Sequence, residues 1–210
     1  MADKVHDILL EEFLAGTRAP GEPLNIAVLT RELDVSQTPL REALARLEHT
    51  GLVRREALKG YQVAPLPTDD ERRQLLEARI VLEPALAAGA ARRSSADLLR
   101  ELERTTAVLE VAARQRREDS AAVREWQVAD ERFHALLAER CGNVHLAAAF
   151  AALSGQMQRA RFAAARSPLD PGPSAAEHRR ILDAVTDDDP RRAETAMREH
   201  LTAVLGRSGL

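Results

Sequence analysis

The stretch from Leu33 to Val53, LDVSQTPLREALARLEHTGLV, constrains the fold more than any other, because it holds a tight turn, a short amphipathic helix and a second apolar run. Ser36 is placed to cap the helix by accepting a backbone hydrogen bond, and Pro39 falls in its first turn, where a missing N–H does no harm. Leu40, Ala43, Leu44 and Leu47 recur at i, i+3, i+4 and i+7, which leaves Thr38, Arg41 and Arg46 off the buried stripe. Upstream, Asn25 can cap a short helix carrying Ile26, Leu29 and Leu33, and Asp34-Val35 is a turn too short for anything but a packed helix pair. Earlier still, Val5, Ile8, Leu9 and Phe13 mark one side of a helix ending at Gly16, and Pro20-Gly21 breaks the chain. After Gly51, residues Leu52 to Arg55 and Tyr61 to Ala64 read as two short strands joined through Ala57-Leu58-Lys59-Gly60, which makes a wing.

The order PG, S-x-TP-x-REAL-x-RLE, GLV and G-x-x-V resembles the winged helix-turn-helix of the GntR family of bacterial transcription regulators. That resemblance implies binding to a double-stranded DNA operator, with Ser36, Gln37, Thr38 and Arg41 at positions that contact DNA and Gly60 at a wing tip approaching the minor groove. Arg41 can donate to guanine O6 and N7 as a two-pronged group, whereas Ser36, Thr38 and the amides at the helix start suit phosphate oxygens. The pattern departs from the family at Gln37, where arginine is common, and at Ala27, where many members carry a charge. Residues 1–66 hold eight basic against ten acidic residues, a net of −2, so any DNA footprint is local. Arg41, Arg46, Arg54, Arg55 and Lys59 would make it, and Glu42 is expected to pair with Arg46 at i+4. The DNA-binding candidates are therefore Ser36, Gln37, Thr38, Arg41, Arg46, Lys59 and Gly60.

Two domains are expected in 210 residues, with 45% hydrophobic content enough to bury a core in each. The boundary falls at Pro65-Leu66-Pro67-Thr68, giving a DNA-binding domain over 1–66 and a second domain over 67–210. Beyond it the chain reads as helix over 68–93, 95–116, 119–141, 143–166, 174–187 and 190–205. Gly142 can end one helix in a left-handed conformation, Asn143 can cap the next, and Pro171-Gly172-Pro173 and Asp189-Pro190 mark further breaks. The expected fold is mainly α: a winged helix-turn-helix with a small β-hairpin, followed by an all-α antiparallel six-helix bundle. A single cysteine, Cys141, allows no intrachain disulfide. With no apolar run of spanning length and no signal-peptide core, the expectation is a cytoplasmic protein without membrane partners.

Within that bundle Asp130 and His134 are four apart, hence one helical turn from each other on the same face. His178 lies 11 residues before Asp189 and His200 lies 11 after it, so a hairpin turning there puts both imidazoles at one height. Three imidazoles and a carboxylate with a position left open suit a divalent ion such as zinc, nickel or manganese. His6, His49 and His145 read as separate polar residues.

The segments D-x-x-F-H-x-x-L from Asp130, GN at Gly142, EH-x-x-I from Glu177 and M-x-x-HL from Met197 resemble the FCD ligand-binding domain that accompanies this winged helix in the FadR-type branch. In metal-containing members the resemblance implies Asp130, His134, His178 and His200 as the ligands, and the count of six helices resembles the VanR-like subgroup. It also puts Arg79 where it can approach a carboxylate effector, although a salt bridge to Glu83 at i+4 accounts for it equally well. Phe133, Leu76 and Leu82 read as core.

The expected function is a ligand-responsive repressor. A homodimer would bind a near-palindromic operator, with affinity set by a small carboxylate metabolite at the metal. One alternative is a metal sensor without organic effector. The other is a metal-dependent enzyme using Glu177, which is disfavoured because neighbouring helical residues such as Glu177 and His178 diverge by about 100°.

Overall fold

A computed structural model describes residues 1–14, 16–56, 60–114, 120–164 and 171–210. The amino-terminal elements are helix α1 (Ala2–Leu14), strand β1 (Pro23–Leu24), helices α2 (Ile26–Glu32) and α3 (Gln37–His49), and strands β2 (Val53–Glu56) and β3 (Gly60–Val63). Asn25 caps α2 as expected, its side chain accepting from the amides of Ala27 and Val28. Ser36 takes the cap position of α3 in extended conformation, but its side chain makes no capping bond, contrary to expectation. The apolar stripe of α3 is the expected one: Leu40, Ala43, Leu44 and Leu47 are all buried. They meet Val5, Leu9 and Phe13 of α1, Leu29 of α2, and Leu24, Val53 and Val63 of the sheet in one core. Each such leucine contributes roughly 1.5–3 kcal/mol by leaving water.

The wing differs from the sequence reading in two ways. Both strands are displaced by one residue, to Val53–Glu56 and Gly60–Val63, and they pair antiparallel with Val53 opposite Val63. The third strand, β1, was not expected: it pairs with β3 through Pro23 opposite Gln62, giving the order β1-β3-β2. Two residues are too few for a period-two pattern to register. Its proline is tolerated because β1 lies at a sheet edge.

The remaining elements are α4 (Asp69–Ala91), α5 (Ala96–Ala112), α6 (Ser120–Arg140), α7 (Val144–Ala164), α8 (Pro171–Thr186) and α9 (Pro190–Arg207). Several start and stop signals work as expected. Gly142 adopts φ +75 after α6, and Asn143 Oδ1 accepts from the amides of His145 and Leu146 at the start of α7. Asp189 caps α9 through the amides of Arg191 and Arg192, with Pro190 in the first position. The expected break at Pro171-Gly172-Pro173 is instead the first turn of α8, where amides have no intrahelical acceptor and proline does no damage.

The helical core is drawn from Ala87, Ala90 and Ala91 of α4, Leu98 and Leu102 of α5, Phe133, Leu136 and Leu137 of α6, Ile181 and Val185 of α8, and Met197 and Leu201 of α9. Pro84 sits inside α4 and offers no N–H to the carbonyl of Ile80; Arg198 of α9 donates to that oxygen instead, at 3.3 Å. Gly89 permits the close approach of α4 to the end of α6, because a Cβ there would lie 2.4 Å from the Cys141 carbonyl oxygen. The chain divides into two compact units, Asp69–Leu153 with Pro168–Leu210 forming the second. Residues Ser154–Ser167 group with Met1–Thr68 in the first, where Arg159 donates to the Pro65 carbonyl at 3.1 Å. No helix among the described residues is long and apolar enough to cross a membrane.

Candidate functional site

In the second unit α6 carries Asp130 and His134, α8 carries His178 and α9 carries His200, all four buried. Each offers one donor atom, and the four donors lie within 4.8 Å of one another. Asp130 Oδ1 is 3.3 Å from His178 Nε2 and 3.7 Å from His134 Nε2. Two ligands each about 2.1 Å from a common zinc are separated by distances of this order. The His178 and His200 rings are 4.5 Å apart between centroids, as equal offsets from the α8–α9 turn require.

Two of the three nitrogens facing away from this centre are held by hydrogen bonds. His178 Nδ1 lies 2.7 Å from the Ser174 carbonyl oxygen. A carbonyl only accepts, so Nδ1 carries a proton and Nε2 is the nitrogen turned towards the cluster. His200 Nδ1 lies 2.8 Å from Glu177 Oε2, and Arg207 donates to both oxygens of that carboxylate at 2.6 and 2.8 Å. His134 Nδ1 is 2.5 Å from Glu83 Oε2, out of line for a hydrogen bond, while Glu83 Oε1 accepts from Arg79 Nε at 2.5 Å. The Nε2 atoms of His134 and His178 have no hydrogen-bond partner although both are buried. Buried polar atoms left in that state are costly, and a cation is the partner that satisfies lone pairs. The residues therefore fit a divalent ion.

Burial pushes the His200 imidazole down to about 3, reinforced by the neighbouring His178. Burial also lowers His134, against the pull of Glu83. Neutral imidazoles are the form that binds metals. Burial alone would raise Glu83, but Arg79 and His134 outweigh it and hold that carboxyl well below its ordinary range. Glu177 is likewise brought down to about 2 against its desolvation, by the hydrogen bonds from Arg207 and His200.

The sequence reading missed the supporting groups: Glu83 as a neighbour of His134, Ser174 O, and the pair Glu177 and Arg207. Glu177 had suggested only a general base, yet both its oxygens are engaged by Arg207 and one also meets His200. Arg79 makes the salt bridge to Glu83 that the i+4 spacing suggested. Phe133 is fully buried with its ring edge-on to His178, Leu76 is buried and Leu82 half-buried.

In the first unit Ser36, Gln37, Thr38, Arg41, Arg46 and Gly60 are all exposed. Gly60 stands at φ +84 with open space around it, while Lys59 lies outside the described residues. Arg46 does not pair with Glu42 as expected; its guanidinium reaches Asp3 of α1 at 2.5 Å. Arg55 stacks over the Tyr61 ring at 5.8 Å, and Arg54 pairs with Glu56 at 2.7 Å.

Residues 1–63 match the gntR family of bacterial regulatory proteins, and residues 74–203 match the FCD domain. The family matches give this arrangement, a winged helix-turn-helix followed by a helical domain, the class of a transcription regulator. The chain belongs to the GntR family, in the group that carries an FCD domain. It is 34% identical over 195 residues to an HTH-type transcriptional regulator in an unstable DNA locus of Streptomyces ambofaciens, covering 89% of this chain and 75% of that one. A probable D-xylose utilization operon transcriptional repressor of Paenarthrobacter nicotinovorans is 29% identical, with 98% and 87% covered. The HTH-type transcriptional repressor GlaR of Escherichia coli is 27% identical, with 92% and 89% covered. Among solved structures, E. coli McbR/YncC superposes with a TM-score of 0.73 at 19% identity, over 100% of this chain and 98% of that one, which speaks for the fold.

Proposed function

We propose that this regulator is a repressor whose operator affinity responds to a small carboxylate bound at a divalent ion, and that Asp130, His134, His178 and His200 hold that ion. The observation that carries the reading is the convergence of three buried imidazoles and one carboxylate, two of the imidazoles with unpartnered Nε2 atoms facing the centre. Four protein ligands leave positions for a carboxylate oxygen on a six-coordinate nickel or manganese ion, and on zinc when it expands to five-coordinate. Arg79, fixed by Glu83 beside His134, adds a cation to the same neighbourhood.

DNA binding is assigned to residues 1–66 and effector binding to 67–210. A homodimer would place two α3 helices in successive major grooves about 34–36 Å apart, matching a near-palindromic operator. Arg41 would read a guanine edge from the exposed face of α3. Ser36, Gln37, Thr38 and Arg46 would contact the backbone and neighbouring bases, with Lys59 and Gly60 at the wing. Ser36 supports this role, because a hydroxyl not used in capping is available to a phosphate.

The test is operator binding by fluorescence anisotropy with metal-free protein, with zinc, and with zinc plus citrate, lactate or acetate in turn. A change that needs both zinc and an acid is expected. A full response to zinc alone would replace this reading with a metal sensor, and no response in any arm would overturn it.

A further inference from the structure

Resting on the reading of the four-residue cluster as a metal site, we propose that Arg207, acting through Glu177, fixes His200 in the tautomer that presents its Nε2 lone pair to the ion, so that the last turn of α9 sets metal affinity. Arg207 is a positioning residue here. It lies in the last turn of α9, beyond residues 74–203, the span that matches the FCD domain.

The argument is an accounting of donors. An imidazole can present either nitrogen as acceptor, and the hydrogen bond made by the other nitrogen sets which. Glu177 is buried, and its two oxygens receive Arg207 Nη1 at 2.6 Å and Nη2 at 2.8 Å. A carboxylate gripped by two guanidinium N–H groups can only accept, so the His200 Nδ1 atom 2.8 Å from Oε2 must donate. The proton then sits on Nδ1 and the lone pair on Nε2. Without the arginine, Glu177 loses two charge-assisted bonds and the geometry that keeps Oε2 on the imidazole. His178 is held differently, by the Ser174 carbonyl. It therefore serves as an internal reference: general loosening of the helices would disturb both imidazoles, whereas loss of the relay disturbs His200 alone.

Glu177→Gln attacks the same device at its centre. A carboxamide has one accepting and one donating end, and Arg207 donates towards both. Either orientation of the amide sets N–H against N–H, and one of them also turns a donor towards His200 Nδ1.

The experiment uses the full chain, labelled with nitrogen-15 and freed of metal by chelation. Long-range proton–nitrogen correlation spectra report the tautomer of each histidine, and zinc affinity is measured by competition with a chromophoric chelator. In the wild-type protein His200 and His178 are both expected with the proton on Nδ1. Glu177→Gln is expected to mix the His200 tautomers and weaken zinc by about 10- to 100-fold, the usual effect of removing such a partner. Arg207→Ala should shift His200 in the same direction with a smaller loss of zinc affinity, leave His178 unchanged, and be partly restored by Arg207→Lys. Should Glu177→Gln fail to fold, the Arg207 variants carry the test, since that side chain reaches the protein surface. The proposal is overturned by a wild-type His200 protonated on Nε2, or by His200 tautomer and zinc affinity both unchanged in the variants. Zinc binding that also ignores His178→Ala would instead remove the metal site, and the metal-free spectra would still decide whether Arg207 governs the tautomer.

Discussion

The outer nitrogens of His178 and His200 are held by the Ser174 carbonyl and by Glu177, while Glu83 lies beside His134 without a hydrogen bond, so the chemistry of the site depends on these neighbours as well as on the donors themselves. Burial of the His200 ring has a consequence for stability. The folded-state pKa of His200 falls from 6.5 to about 3, so between those values the unfolded chain binds a proton that the folded chain does not. Stability of the metal-free protein therefore declines as pH drops from 6.5 towards 3, by up to about 1.4 kcal/mol per pH unit for this group. Glu177, depressed from 4.5 to about 2, adds a further loss of stability as pH falls through that lower range. Urea unfolding of chelated protein at pH 7 and pH 5 is expected to show the drop, and His200→Asn should flatten it; a slope unchanged by that substitution would contradict the assignment. Two pairs were legible in sequence, Asp130 with His134 through one helical turn and His178 with His200 through the hairpin register, but joining the pairs into one cluster took the resemblance to the FCD domain. Their supports were not: Glu83 reaches His134 from α4 and Arg207 reaches Glu177 from α9, pairings made by long side chains between helices rather than by spacing along one.

At the scale of elements, α3 carries the clearest prediction, since one face is wholly buried and the other wholly open. Leu44→Ala leaves a cavity in the amino-terminal core and should cost about 2–5 kcal/mol in an unfolding titration. Arg41→Ala, on the exposed face, should leave unfolding unchanged and weaken specific operator binding by about 1–3 kcal/mol, relaxing preference at one base pair. An equal loss on operator and random DNA would reassign Arg41 to the phosphate backbone. Between α4 and α6, Gly89→Ala places a methyl carbon 2.4 Å from a backbone oxygen, so the helices must separate and thermal stability should fall; an unchanged melting temperature would show that this approach is looser than drawn. Helix starts and ends were readable wherever a cap or a glycine marked them, as at Asn25, Gly142 and Asp189. Strand β1 was not readable, because it exists only through pairing with β3. The first turn of α8 was misread as a break, because proline punctuates a helix interior but is compatible with its start.

For the whole molecule, the chain divides between Thr68 and Asp69, and Ser154–Ser167 fall with the amino-terminal unit instead of within a single second domain over 67–210. The grouping of Ser154–Ser167 with the amino-terminal unit was not visible, since it depends on contacts such as Arg159 with Pro65 that no periodicity encodes. If the bound acid alters operator affinity, linkage requires the operator to alter acid affinity by the same factor, typically about 5- to 150-fold. Acid titrations with and without operator would check this, and identical affinities would break the proposed coupling. All of it depends on the buried cluster holding an ion. The most direct measurement is calorimetric titration of zinc into the chelated protein at neutral pH, alongside His178→Ala and Asp130→Ala. The account predicts one zinc per chain in the wild-type protein and its loss in both variants; no binding, or binding unchanged by either substitution, would contradict it.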